Sequence, residues 1–329
     1  MEMELKDIED VARRVDSLVQ EILSGSDEFR KLYDSSMHLF KAGGKRVRPY
    51  ILVKSAELLG GDKENAIRLA TAVELLHTFT LIHDDIMDMS DTRRGVPSVH
   101  KVFGVPMAII AGDLLFGTVF EVAASTKIDP HDIKEITFEL ATATRRICEG
   151  QFLDMTLQGK LEPDDKMYYE MIEKKTAALF ETSAAIGGMI AKCRENELRL
   201  LRDFGRNLGI AFQITDDILG VLGDPEETGK PSGDDIRFGK FTVIIAHFCK
   251  NASEEELQRF ARSFNKPEAQ EDELIAASEL LVKTGSIRAA EDLARSYTER
   301  AVSALKKLPE NAARTDLEFL AFHMVKRRA

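Results

Sequence analysis

An all-α fold, a single domain of many helices over residues 1–329, is what the sequence predicts. Three observations predict it. Apolar residues recur at helical period along most of the chain. No alternating run bounded by hairpin turns occurs, so strands are not expected. The breaks fall at glycine, proline and capping residues. With 329 residues, 44% of them hydrophobic, the chain can bury a large core. No 20–50-residue repeat and no low-complexity linker divides it.

The elements follow in order. The opening stretch MEMELKDIEDVARRVDSLVQEILSG is amphipathic and acid-rich, unlike a signal or transit peptide. Helices are expected over 46–59 and 63–89, with Gly60-Gly61 as the stop between them. Residues 105–127 read as a long, mostly buried helix. Others are expected near 131–156, 164–192 and 196–222. Shorter ones follow near 241–250, 253–264, 269–284, 286–307 and 314–327. Asp164-Asp165 and Ser253 with Glu256 look like helix starts. The stretch GDPEETGKPSGDDIRFGK, residues 223–240, is the one long interruption, and a loop of that length in a compact protein is usually functional.

A formal charge of −11 argues against nucleic-acid binding, which needs basic surface. An anionic ligand must then be held by local basic clusters or bridging cations. Cys148, Cys193 and Cys249 are scattered and odd in number, which fits neither a disulfide framework nor a zinc motif and points to a reducing compartment, the cytoplasm. No apolar run approaches the ~18 residues of a membrane span.

LIHDDIMDMSDTRRG, residues 81–95, concentrates acid in an apolar helical run and then reverses sign. Asp84 and Asp88 share a helix face, and Asp85 lies ~100° round from Asp84. Like charges so placed repel unless a cation compensates them. Hard oxygen ligands without cysteine favour Mg²⁺ or Mn²⁺, shared with substrate phosphates. A second acidic pair, Asp216-Asp217 in FQITDDILG, is also embedded in an apolar run, but Gly220 stands where a third carboxylate would follow and Asp224 falls beyond the helix. Two such sites could face each other across a helical bundle with metal between them. A lone DDxxD is about as well explained by a solvated helix end; the second pair weakens that explanation.

Basic clusters accompany the acids. KAGGKRVRP, residues 41–49, sets Gly43-Gly44 ahead of Lys45, Arg46 and Arg48, with Pro49 suited to a first helical turn. Glycines let backbone approach an anion, arginine grips phosphate bidentately and lysine acts as a point charge. Arg93-Arg94, Lys174-Lys175-Thr176, and Lys230 with Lys240 add more. Singly, each is most often a solvated charge. His77 lies near the Asp84 face, although a lone histidine is more often a core residue. Glu74-x-x-His77 also matches the di-iron bundle spacing, but no second such pair occurs. His83 and His100 read as structural or as supports for residues that touch a ligand.

GGKRVRP, ELLHTFTLIHDDIMD with DTRRG, AGDLLF, KKTAALF, FQITDDILG and GKPSGDDIRFGK, taken in this order, resemble the signature regions of the trans-isoprenyl diphosphate synthases, the polyprenyl synthetase family. The resemblance spans about residues 35–245. It implies an all-helical, isoprenoid-synthase-type fold around a deep central cavity, a homodimer, and head-to-tail condensation of isopentenyl diphosphate with dimethylallyl, geranyl or farnesyl diphosphate. Residue by residue it implies that Asp84 and Asp88 bind Mg²⁺ with Asp85 in support, and that Asp216, beside Asp217, holds the third ion. Arg93, Lys175, Thr176, Gln213, Lys230 and Lys240 would contact the allylic substrate. Lys45, Arg48, His77 and Arg94 would hold isopentenyl diphosphate. Gly220 departs from the family pattern, as does Asp234, which stands beside the matching Asp235.

The implied reaction separates an allylic cation from diphosphate, neutralised by metal, lysine and arginine. The isopentenyl double bond attacks the cation, and water must be kept out. The resemblance also places chain-length control at Phe79 and Thr80. A bulky residue five before Asp84 and a small one four before, with no insertion, look like twenty-carbon geranylgeranyl synthases; a farnesyl or longer product is the alternative. Phe79 could also be merely core. A terpene cyclase would not need GGKRVRP, and a non-catalytic regulatory subunit of the same fold would be expected to lose charged residues that are retained here.

Overall fold

The computed structural model describes residues 2–161, 164–222 and 233–325, with side chains from residue 7 onward. Among these residues the protein is helical apart from one two-residue hairpin. It divides into two compact units. The first comprises Met1–Thr144, Leu179–Gly205 and Ala304–Phe319; the second comprises Arg145–Ala178, Arg206–Ser303 and Leu320–Ala329.

The first unit opens with α1 (Glu2–Ile22), the amphipathic stretch, which buries Val11, Val15 and Val19. Helix α2 (Arg30–Lys41) was not expected: Ser35 and Ser36 interrupt its apolar pattern, yet both are buried and bond back to the Leu32 carbonyl. Helix α3 (Val47–Leu58) and α4 (Lys63–Met87) match expectation. Asp62 caps α4 by accepting from the Asn65 N–H at 2.8 Å. Helix α4 packs on α1, on α3 and on α6 (Val105–Ala124), and buries residues on every side, including Thr71, Glu74 and Thr78. It therefore holds its polar residues in fixed positions.

The expectation of no strands is corrected by a short antiparallel hairpin, β1 (Thr92–Arg93) and β2 (Val96–Pro97). Arg94 (φ 54°) and Gly95 (φ 75°) form its turn; positive φ at both central residues is what a type I′ hairpin turn demands. Helix α5 (Val99–Phe103) links it to α6. The expectation that no apolar stretch reaches membrane-span length also needs correction. Helix α6 has 20 residues and a mean hydropathy of 1.7, enough by length and composition to cross a membrane, although Asp113 and Glu121 interrupt it.

Helix α7 (Pro130–Leu157) follows. The helix expected over 164–192 is broken in register: α8 (Asp165–Ile172), a π-helical turn (Glu173–Ala177), then α9 (Ala178–Ile190). Gly150 of α7 faces this turn, and a Cβ there would fall on the Lys175 backbone. Only glycine lets α7 lie so close. Helix α10 (Glu195–Leu222) agrees with expectation, as do the shorter helices Val243–Asn251, Glu254–Phe260, Glu271–Lys283, Ser286–Leu305 and Ala312–Val325. Ser253 and Glu256 form the anticipated capping box. The second unit's core gathers Tyr168, Ile214, Phe241, Phe248 and Phe260, among others. Each such side chain contributes about 1.5–3 kcal/mol by leaving water.

Candidate active site

In the first unit, the C-terminal end of α4 carries the acidic run. Asp88 closes the last turn, its N–H bonded to the Asp84 carbonyl at 2.8 Å. The three carboxylates differ in setting: Asp88 is exposed, Asp84 half-buried, and Asp85 only 1% exposed. The hairpin returns Arg93 to Asp85, whose Oδ1 accepts from Nε at 2.8 Å and Nη2 at 2.5 Å. Burial raises the Asp85 pKa against the opposing pull of Arg93. Its Oδ2 is buried without a hydrogen-bond partner among the described residues. Burial opposes the charge on Arg93, but Asp85, Asp84 and Asp88 outweigh it and raise that pKa.

Two turns or more before the acids, the same helix organises the basic loop. Gly43 (φ 85°) and Gly44 (φ 155°) let the chain turn, and Arg46 takes left-handed φ 46°, ψ 40°. That backbone directs Arg46 inward, where Nε meets Asp16 at 2.8 Å and Nη1 meets Glu74 at 3.1 Å. The sequence grouped Arg46 with the phosphate-gripping residues; the structure assigns its guanidinium to internal partners. Lys45 is exposed. Arg94 donates to the Gly43 carbonyl at 2.7 Å and the Leu39 carbonyl at 3.1 Å, and its Nη2 lies 3.7 Å from Glu74. Arg48 donates to His77 Nε2 at 3.1 Å and sits over the Phe180 ring, 4.5 Å from its centroid.

The electrostatics follow from crowding. Burial, then the Arg94 charge, overcome Glu74 and push Arg48 down to about 10. Burial and four arginines hold the His77 pKa well below the usual imidazole range, so the ring is neutral and accepts from Arg48. Burial raises the Glu74 carboxyl against three arginines. The di-iron spacing of Glu74 and His77 is thus taken up by guanidiniums.

The second unit gathers the other candidates. The π-turn presents Lys175, whose Nζ meets Asp154 Oδ2 at 2.5 Å, and Thr176, whose hydroxyl donates to Gln213 Oε1 at 2.6 Å. Gln213 Nε2 donates to Asp217 Oδ1 at 2.9 Å, and Lys240 Nζ lies 2.9 Å from the same oxygen. Tyr168 donates to Asp217 Oδ2 at 2.6 Å. Asp217 is 1% exposed, while its neighbour Asp216 is exposed. Burial raises the Asp217 carboxyl; burial also opposes the Lys240 ammonium, but Asp217 and Asp235 outweigh it and raise its pKa well above the usual range. Asp235 lies 3.5 Å from Lys240 Nζ. Its carboxylate occupies the space a side chain at Gly220 would take, which gives the departure at 220 a physical reason. Lys230 and Asp224 lie outside the described residues. Sequence reasoning missed Asp154, Tyr168, Asp16 and the ionic role of Glu74. The GQFLD stretch, with Gln151 and Asp154 on one helix face, was a readable signal for one of these.

The donors present fit a hard divalent cation. Carboxylate oxygens dominate the Asp84–Asp88 run, and the buried, unpartnered Oδ2 of Asp85 faces no protein donor. Among the described residues no three His, Cys, Asp or Glu side chains converge as a ready-made cage. Mg²⁺ needs none when substrate phosphates complete its shell. Upstream on α4, Phe79 lies 4.9 Å from the His83 ring and 5.1 Å from Phe116, which in turn lies 5.1 Å from Phe120. Thr80 is half-buried and bonds the His77 carbonyl at 2.8 Å.

A helical protein with arginines ordered around a neutral histidine, and acidic runs paired to single cations, belongs to the class that handles diphosphates. The family model described as polyprenyl synthetase matches residues 29–281, and the chain belongs to that family. It is 43% identical over 304 residues to a geranylgeranyl diphosphate synthase of Saccharolobus solfataricus, covering 91% of each chain. It is 40% identical over 300 residues to a geranylfarnesyl diphosphate synthase of Aeropyrum pernix, covering 90% of this chain and 92% of that one. The crystal structure of geranylgeranyl pyrophosphate synthetase from Pyrococcus horikoshii superimposes with a TM-score of 0.94 at 44% identity, covering 99% of both chains.

Proposed function

We propose that this chain is a trans-prenyltransferase that condenses isopentenyl diphosphate head-to-tail with allylic diphosphates and makes geranylgeranyl diphosphate. The observation that carries the reading is the dual character of α4. Through Glu74 and His77 it orders Arg46, Arg48 and Arg94, and through Asp84, Asp85 and Asp88 it presents carboxylates with Arg93 returned against them. A helix that serves an anion site and a metal-binding run fits a reaction with two diphosphate substrates. Relatives of 43% and 44% identity carry the geranylgeranyl synthase name, which supports the product.

Lys45, Arg48, His77 and Arg94 hold isopentenyl diphosphate. The neutral His77 leaves the cluster's charge on the guanidiniums and keeps Arg48 oriented. Arg93, Lys175, Thr176, Gln213, Lys240 and, outside the described residues, Lys230 contact the allylic substrate. Asp84, Asp88 and Asp216 are the carboxylates that hold Mg²⁺, with Mn²⁺ as a substitute. Asp85 supports them through its unpartnered Oδ2 while its Oδ1 holds Arg93; both oxygens of Asp217, grouped with the metal residues in the sequence, are taken by Tyr168, Gln213 and Lys240. When bound, the ions neutralise the departing diphosphate. Lys175 and Lys240, held by Asp154 and Asp217, supply fixed positive charge where the leaving group gains negative charge.

The whole chain acts as one catalytic domain in a homodimer. Supporting this, the first unit exposes Phe138 at 69% and Ile110 at 50%, with Val105 and Ile109 exposed near Ile110 on the same helix. Three free cysteines support the cytoplasm. The test is direct. Pure protein is incubated with Mg²⁺, labelled isopentenyl diphosphate and dimethylallyl, geranyl or farnesyl diphosphate, and the dephosphorylated alcohols are sized. A twenty-carbon alcohol is expected; no chain extension from any starter would overturn the reading.

A further inference from the structure

We propose that Tyr168 is a positioning residue for the transfer step: through Asp217 it sets the places of Gln213 and Lys240. The inference rests on the reading above, in which Gln213 and Lys240 contact the allylic substrate.

The geometry is a closed account of one carboxylate. Asp217 lies on α10, 1% exposed, inside the second unit's core. A buried carboxylate is costly unless each oxygen is bonded. Oδ2 accepts the Tyr168 hydroxyl at 2.6 Å. Oδ1 accepts from Gln213 Nε2 at 2.9 Å and from Lys240 Nζ at 2.9 Å. Three donors from α8, α10 and the segment before Val243–Asn251 thus converge on one side chain. Gln213 then fixes its own carbonyl oxygen, which accepts from Thr176 of the π-turn at 2.6 Å. The network runs from Tyr168 to the residues proposed to meet substrate, and Tyr168 is its end that touches none.

Tyr168 is itself rigid. It is fully buried in the apolar cluster with Ile214, Phe241 and Phe248, and its ring meets that of Tyr169 edge-on at 5.7 Å. A rigid donor fixes Oδ2 and so fixes the plane of the carboxylate. The plane decides where Oδ1 points, and Oδ1 carries both functional donors. Remove the hydroxyl and the carboxylate can rotate to share its oxygens differently between Gln213 and Lys240. A misplacement of that kind costs rate without removing any group from the site. It also separates the adjacent aspartates: Asp216 faces outward while Asp217 is spent on protein donors.

The test is a double-mutant cycle. Tyr168→Phe deletes one O–H and keeps the ring. Its kcat/KM for the allylic diphosphate should fall on the order of tenfold, the scale of a bond to a charged group, with KM for isopentenyl diphosphate unchanged. In a Lys240→Met background the same change should cost clearly less, about threefold, because the ammonium to be positioned is gone and only Gln213 is left to place. A purely structural role predicts equal losses in both backgrounds, and that result, or no loss in either, overturns the proposal. Should Lys240→Met abolish turnover, Kd for inorganic pyrophosphate with Mg²⁺, by calorimetry, carries the same cycle and the same criterion. Should Tyr168→Phe fail to fold, Asp217→Asn takes its place in the cycle. A wild-type protein without prenyl transfer would sink the functional reading instead, so the two failures are distinct.

Discussion

Replacing Phe79 by alanine should lengthen the product by one five-carbon unit. Phe79 stands half-buried on α4, five residues before Asp84. Its ring centroid lies 5.1 Å from Phe116, and Phe116 lies another 5.1 Å from Phe120 on the following turn of α6. One prenyl unit adds four backbone bonds of ~1.5 Å, or roughly 5 Å of extended chain once the zigzag is projected. The next obstacle is therefore about one unit further on, and the product should shift from twenty to twenty-five carbons. Phe79→Ala/Phe116→Ala should move it again. Because Phe79 is only half-buried, the substitution should cost about 2 kcal/mol rather than the 3–5 of a full core phenylalanine. Labelled alcohols from Phe79→Ala, sized by reversed-phase chromatography beside the wild type, give the answer, and circular dichroism checks the fold. An unchanged product distribution from a folded variant would refute the reasoning and leave Phe79 as core.

Other predictions concern the buried charges. Glu74→Gln leaves Arg46 and Arg94 under-neutralised, so it should lower stability by up to about 3–5 kcal/mol and raise KM for isopentenyl diphosphate several-fold; chemical denaturation and steady-state kinetics measure the two effects. The His77 pKa is lowered in the folded protein, so the folded state binds fewer protons than the unfolded one below the ordinary imidazole value near ~6.5. Its contribution is complete above that value and is lost as pH falls through it, by at most about 1.4 kcal/mol per pH unit. Denaturant unfolding at pH 7 and 5 should therefore show a steeper acid loss in wild type than in His77→Asn, and equal losses would refute the assignment. Gly220→Asp restores the family pattern but drives a side chain into the Asp235 carboxylate. It should destabilise by about 1–3 kcal/mol and lower kcat, and a gain in rate would show that Asp235 yields the space freely.

What the sequence revealed was what is local. Helix α4 announced itself through a long apolar run after a capping aspartate, and α10 through its span and its acidic pair. Helix α2 escaped because two buried serines satisfy themselves on the Leu32 carbonyl, which no polarity pattern shows. The hairpin escaped because two-residue strands have no alternation to read and Arg94 takes a conformation usually left to glycine. The π-turn escaped because its register depends on the close approach allowed by Gly150. The charged motifs were visible, but several of the partners that hold them were not. Asp16, Asp154 and Tyr168 lie 30, 21 and 49 positions from the side chains they bond, and only the folded chain brings them together.

Those counter-ions explain how an acidic chain can keep cations ready for a doubly charged ligand. Four of the candidate anion-binding groups have an internal carboxylate: Glu74 near Arg94, Asp85 with Arg93, Asp154 with Lys175, Asp217 with Lys240. An isolated ammonium in a half-buried wall would lose charge or move to water, and an isolated guanidinium would turn toward water. The pairing keeps it charged and fixes its direction before any diphosphate arrives. Adjacent aspartates on a helix suit this division, because ~100° of rotation turns one inward when the other faces outward. Asp85 and Asp217 are the buried members, each bonded to a cation, and Asp84 and Asp216 are the more exposed ones. The acidic doublets therefore do two kinds of work, and charge alone, read along the sequence, does not separate them.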